Sequence, residues 1–195
     1  PIDVSQRVWF NPSLQSRYFL VPGSIAIVMT MIGTLLTALV VAREWERGTM
    51  EAVLSTPASV AEILIGKLLP YFVLGMLSTL GAAALAVFVF GVPMRGSLAA
   101  LLLLSAVFMV PALGQGLLIS SLARNQFLAA QIALFTGFLP AFMLSGFLYV
   151  IDAMPAPIRA ITRAVPARYF VDSLKTVFLA GDIWAVFLPY LAAMA

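Results

Sequence analysis

The sequence predicts an all-α integral membrane protein. The expected architecture is a polytopic helix bundle with four full spans and the start of a fifth, an amphipathic helix behind the first span, and a re-entrant helical segment before the last. Three observations predict it. Of 195 residues, 63% are hydrophobic and only 10% are charged, against about 45–50% and about 25% in an average soluble domain. The mean hydropathy is +1.07. The charges are also clustered, leaving four uninterrupted charge-free runs of 25, 27, 28 and 27 residues at Tyr18–Ala42, Leu68–Met94, Gly96–Ala123 and Asn125–Ile151. A bilayer core of about 30 Å needs about 20 helical residues, so each run is long enough to cross.

Four such runs in one short chain leave nothing to bury them in water, which excludes a soluble globular domain, a disordered chain and a nucleic-acid binder with a basic face. The first run is too long for a cleaved signal peptide and lacks a basic leader. A fifth run, Ile183–Ala195, has 13 residues and reads as a span cut short. The chain opens on Pro1 and stops inside that run, so it is expected to be a piece of a longer protein. The expected boundaries are spans at about 18–42, 66–92, 97–123, 126–150 and 183–195, a surface helix at 43–57, and outer helices within 152–181.

Cys and His are absent. Disulfides, thiol nucleophiles, zinc sites, Ser-His triads and histidine relays are therefore excluded, and no metal site is expected. No ionisable residue lies deep in a run, which argues against a proton-coupled pump or a charged-ring channel. No G-x-x-x-x-G-K-[ST] phosphate loop occurs either: Gly66-Lys67-Leu68 lacks the earlier Gly and the hydroxyl. Any uphill transport would draw its free energy from another subunit, and no pair of groups at depth suits an enzyme.

Successive spans alternate sides. One side holds Arg7, Arg17, Arg95, Arg159, Arg163, Arg168 and Lys175; the other holds Arg43, Arg47, Lys67 and Arg124. A bare positive-inside count would make 152–182 cytoplasmic. That segment is amphipathic rather than a simple loop, so composition leaves the orientation open.

Residues 43–57 are the most informative stretch. Arg43 with Glu46 and Glu44 with Arg47 are opposite charges at i,i+3, and Arg47 with Glu51 at i,i+4. Met50, Val53 and Leu54 form a short apolar stripe, and Trp45 suits a headgroup interface. Pro57 ends the helix, and Ser59-Val60-Ala61-Glu62 reads as a capping box starting the next. A solvated connector needs no apolar stripe. A helix with one face on the membrane and a charged face outward is a docking surface for a soluble partner, whether that partner drives transport or is merely anchored.

The string Ala42-Arg43-Glu44-Trp45-Glu46-Arg47-Gly48-Thr49-Met50-Glu51, with Leu54, Thr56 and Pro57 after it, resembles the signature of ABC type-2 exporter permeases, R-E-x-E-x-G-T-x-E-x-x-x-x-T-P. Arg124-Asn125-Gln126 is similar to the family's short cytoplasmic turn. Ser145-Gly146-Phe147, Met154-Pro155 and Pro166-Ala167-Arg168-Tyr169-Phe170 resemble its fifth-span end and re-entrant outer segment. The likeness is greatest to the bacterial subgroup working in multidrug efflux. It implies an inner-membrane permease without cofactor of its own, driven by an ATP-binding subunit that holds ATP and Mg. It implies a second permease copy or paralogue, often a periplasmic adaptor, and contact with lipid. It makes 43–67 cytoplasmic, 43–57 the coupling helix, and 1–17 the tail of an extracytoplasmic domain. Arg43, Glu44, Glu46, Arg47, Gly48, Thr49, Glu51, Thr56 and Pro57 would couple to the ATPase. A lipid, polysaccharide or peptide exporter of the same architecture fits the resemblance too.

Polar groups within the spans are mild, and most are expected to pack helices together. Thr30, Thr34 and Thr37 share a face at i, i+4 and i+7 beside Gly33, as a seam or a path lining. Gln115, between Gly114 and Gly116, is the best single candidate for substrate contact, with Gln131 a further path candidate. Pro111 and Pro140 should kink their helices. Beyond Ile151, Ile158, Ile161 and Val165 form one apolar stripe, and Phe170, Val171, Leu174, Val177 and Phe178 a second, with Arg168–Asp172 an i,i+4 pair. Two short amphipathic helices at the outer interface fit this pattern.

Overall fold

The computed structural model describes residues 16–194. These residues are mostly helical, without strands. Helix α1 runs Ser16–Glu46, α3 Val60–Phe88, α4 Leu98–Ala123 and α5 Gln126–Leu144, each long and apolar enough to span. Between α1 and α3 lies a one-turn helix, α2 (Met50–Leu54). A 3-10 turn at Ile151–Ala153 precedes α6 (Ala156–Thr162), α7 (Pro166–Leu179) and α8 (Trp184–Met194). Spanning segments must be helical because lipid offers backbone groups no partner. The stretch expected as an extracytoplasmic tail lies outside the described residues, apart from Ser16 and Arg17.

Local chemistry sets the boundaries. Ser59 caps α3 through the full capping box, its hydroxyl accepting from Glu62 N and its own N–H donating to Glu62 Oε2 at 2.8 Å. Ser97 Oγ accepts from Ala100 N at the start of α4, and Asn125 Oδ1 from Leu128 N at the start of α5. Pro166 opens α7 at its first position, where a missing N–H costs nothing.

Packing follows residue size rather than amphipathic charge. Only Gly75, Thr79, Ala83 and Ala86 of α3 are buried, while Val73, Leu74, Leu77, Leu85 and Phe88 are exposed. Small side chains facing inward and large apolar ones facing outward is the arrangement lipid favours, since close backbone approach replaces a hydrophobic drive between helices. At the crossing of α1 with α4, a Cβ on Gly116 would sit 2.5 Å from Thr34 O and 2.9 Å from Thr37 Cβ. A Cβ on Gly33 would meet Ala112 Cβ at 2.8 Å. There Ser120 Oγ also accepts from the N–H groups of Val41 and Ala42, both at 2.9 Å.

The second outer stripe goes deeper than an interfacial helix would. Phe170, Val171, Leu174, Val177 and Phe178 are fully buried, and Phe170 stacks on Phe108 of α4 at 4.2 Å. Helix α7 is therefore part of the core, against α1, α4 and α8. The α6 stripe differs: Ile158 and Ile161 stay exposed.

Candidate functional site

The conspicuous polar constellation lies at the end of α1. The helix does not stop at Ala42, where the charge-free run ends. It continues one turn through Arg43–Glu46, so these residues close a spanning helix rather than open a separate one. Gly48, at φ +70°, then breaks the helix. Gly48 N donates to Trp45 O at 3.2 Å and Thr49 N to Glu44 O at 3.0 Å, the paired bonds of a Schellman stop. The Gly-Thr step thus ends α1 and offsets α2 from it. Helix α2 ends as its own hydroxyls fold back, Ser55 Oγ to Ala52 O and Thr56 Oγ1 to Val53 O, with Pro57 behind. The coupling segment expected as one helix over 43–57 is a helix end, a left-handed turn and a single helical turn.

The charges pair differently from their sequence spacing. Neither i,i+3 pair nor the Arg47–Glu51 pair closes; the ion pair among the described residues joins Glu44 to Lys67 of α3. Glu46 Oε2 accepts from Gln126 N at 3.1 Å and from Gln126 Nε2 at 2.9 Å. Arg43 Nε donates to Gln126 Oε1 at 3.3 Å. The Arg124 guanidinium lies over the Trp45 ring, 4.5 Å from its centroid. Contacts to three elements win over contacts along one helix because α4 and α5 turn back at Arg124-Asn125, beside the end of α1. Glu51 is exposed, and its carboxylate makes no hydrogen bond or ion pair among the described residues.

A second constellation sits at midspan. Thr30 and Thr34 of α1, Pro111 and Gln115 of α4, and Thr136, Gly137 and Pro140 of α5 line a cavity of about 120 Å³, closed on one side by the Ala164–Ala167 corner between α6 and α7. Two π-helical segments, Met31–Leu36 and Leu134–Phe138, meet beside it. Thr30 Oγ1 donates back to Ala26 O. The Thr34 hydroxyl is buried without a partner, and Gln115 Nε2 donates to Thr136 O at 3.0 Å. No charged residue lines the cavity, so it suits an uncharged or apolar group bearing a hydrogen-bonding atom.

The structure thus brings together Thr30, Thr34 and Gln115. Thr37 lies apart, buried against Gly116, because the π segment shifts the α1 register. Gln131 occupies an exposed position on α5, outside this cavity. The sequence reading missed Lys67 and the tying role of Gln126. A lone cation at the head of a span, and a glutamine right after a helix cap, were the available signals. On the opposite side of the bundle, Arg168 donates to Thr162 Oγ1 at 2.7 Å instead of closing the expected pair with Asp172.

Comparison with known proteins identifies the class. All of residues 1–195 match the model of the ABC-2 family transporter protein, and the chain belongs to that family. It is 57% identical over 182 residues to the probable multidrug ABC transporter permease YbhS of Escherichia coli K12, covering 93% of this chain and 48% of YbhS. It is 34% identical to the probable multidrug ABC transporter permease YbhR of the same strain, covering 89% of this chain and 47% of YbhR. The inner membrane transport permease YhhJ is 28% identical, over 98% of this chain and 52% of YhhJ. The chain therefore spans about half the length of these curated relatives. No solved structure matches it significantly.

Proposed function

We propose that the chain is the membrane-spanning part of the permease subunit of an ATP-driven exporter in a bacterial inner membrane, moving drugs or other amphiphiles outward. The observation that carries this reading is α2, a helical turn set off the end of a span by Gly48, with Glu51 exposed and unpaired among the described residues. The names of the relatives, multidrug permeases of ABC transporters, support it. The ATP-binding subunit would hold ATP and Mg and press on 43–57, the cytoplasmic face. A second copy or paralogue would complete the path. A periplasmic adaptor, and the assignment of 1–17 to an extracytoplasmic domain, rest on the family resemblance.

Within the path, Thr30, Thr34 and Gln115 would meet substrate at the midspan cavity. Thr37 would join them where α1 parts from α4, and Gln131 where a second copy closes on α5. Arg159 and Arg163, exposed at the end of α6, would meet lipid phosphates or the adaptor.

The test uses the full-length permease with its ATPase in inside-out vesicles and follows ATP-dependent uptake of a fluorescent lipophilic amine. Glu51→Lys should insert normally and lose uptake. Undiminished uptake by a well-inserted Glu51→Lys protein removes the coupling role. A cysteine placed at 51, in a full-length permease with any other cysteine replaced, also reports the side directly: periplasmic labelling there ends the exporter reading.

A further inference from the structure

Four consecutive residues at the end of α1 reach three residues on three other elements. Arg43 holds the Gln126 side-chain carbonyl, Glu44 pairs with Lys67 on α3, Trp45 lies under Arg124, and Glu46 takes the backbone N–H and a side-chain N–H of Gln126. Gln126 is the first residue of α5. It is therefore gripped three times by one turn of α1: at its backbone N–H, its side-chain N–H and its side-chain oxygen. The Glu46 carboxylate also sits where the α5 dipole is positive, which favours its charge. Both bonds fall on one oxygen and fix the carboxylate against α5, so it is oriented by that helix rather than free to turn to a docking partner. Glu51 is in the opposite condition: it lies on α2, five residues further on, exposed and with no partner among the described residues.

We propose that the acidic residues of this foot are divided between two jobs: Glu44 and Glu46 are struts tying the foot to α3 and α5, and Glu51 is the docking charge. The proposal rests on the exporter reading for what docks, but not for the strut. In it Gln126 is a positioning residue. A displacement of α2 reaches α5 through Glu46 and Gln126, and α5 carries the π segment and the Thr136 carbonyl that Gln115 holds at the cavity. A push on one foot would thus move two walls of the cavity, α1 directly and α5 through the strut. The partner surface facing Glu51 would present a cation and would make no demand on Glu44 or Glu46.

Two measurements on the full-length permease in nanodiscs test this. The first needs no ATPase. Spin labels at Val53 and Leu128 report the distance from foot to α5. The distribution should be narrow in the parent and about twofold broader in Gln126→Leu and in Glu46→Ala, each of which cuts two of the three bonds between these elements. An unchanged distribution overturns the strut. The second adds the ATPase. Glu51→Lys should weaken its binding about tenfold, whereas Gln126→Leu should hold binding within about twofold and lower transport per ATP hydrolysed about tenfold. Reversing the pair as Glu44→Lys with Lys67→Glu should restore what Lys67→Glu alone loses. If Glu46→Ala weakens ATPase binding as much as Glu51→Lys does, Glu46 is a docking residue and the division fails. If Glu51→Lys leaves binding intact while the spin labels still report the strut, the docking reading fails and the strut stands.

Discussion

Gln115 of α4 donates its side-chain N–H to the Thr136 carbonyl of α5, 3.0 Å away at the rim of the midspan cavity. Pro140, four residues beyond Thr136, has no N–H to offer that carbonyl. Gln115→Leu should destabilise the purified permease by about 1 kcal/mol, since an acceptor in lipid loses a donor that water cannot replace. Pro140→Ala supplies a backbone donor and should reduce that cost. Thermal unfolding of the two single variants and the double variant forms a cycle; additivity to within about 0.3 kcal/mol would show that the two sites do not interact.

The four spans and the breaks between them were legible because lipid imposes a length and a composition, and Ser59, Pro57 and Asn125 act through local chemistry. What the sequence could not show is which charges meet. Spacing pairs Arg43 with Glu46 and Glu44 with Arg47, but the fold turns those side chains to Gln126 and Lys67, more than twenty residues away. The register of the threonines was legible only to the start of the π segment. The wider i→i+5 turn there separates Thr37 from Thr30 and Thr34, and no periodicity argument at 3.6 residues per turn registers it. Helix α7 reads as amphipathic and interfacial because Arg168, Asp172 and Lys175 line one side. Its buried stripe instead completes the core, as Phe170 on Phe108 shows.

Gly48 stands at φ +70° with no atom within 4 Å of where a Cβ would lie. Substitution there tests backbone conformation alone. Gly48→Ala should cost roughly 1 kcal/mol, the left-handed penalty for an L-residue. Gly48→Asn should cost less and Gly48→Val more. Protease cleavage between α1 and α2 measures the order, since a strained stop frays the turn. Equal rates for Asn and Val would show that the left-handed stop does not govern this corner.

Asp182 holds the turn before α4. Its Oδ1 accepts from Ser97 N at 2.9 Å, while Gly96 N donates to Val177 O at 2.8 Å and Arg95 N to Phe178 O at 3.2 Å. A Cβ on Gly96 would lie 2.7 Å from that Oδ1 and 2.9 Å from Val177 O. Asp182→Ala should cost about 1–2 kcal/mol by stripping a helix-start N–H of its acceptor, and Asp182→Asn, which keeps an oxygen there, less than half of that. Gly96→Ala should exceed both, because backbone has to give way. Melting temperatures of the three variants in one detergent give the ranking.

Asp172 supplies a pH test on α7, outside the four spans. Burial pushes its carboxyl above the ordinary 3.8, against the opposing pull of Lys175 and Arg168. Lys175 is engaged with the Gly146 carbonyl at 3.0 Å and lies over the Phe19 ring, which limits how far it can serve the carboxylate. The native protein thus keeps the Asp172 proton to a higher pH than the unfolded chain does. Native binding of more protons means that stability falls as pH rises from about 3.8 through the raised native value, and the loss is complete above it. Asp172→Asn cannot ionise, so it should flatten this part of the stability curve and leave the variant equal to or more stable than the parent at neutral pH. Unfolding measured from pH 4 to 8 checks it. A variant that instead loses stability most at neutral pH would mean that the Asp172 charge, held by Lys175 and Arg168, supports α7 in the core.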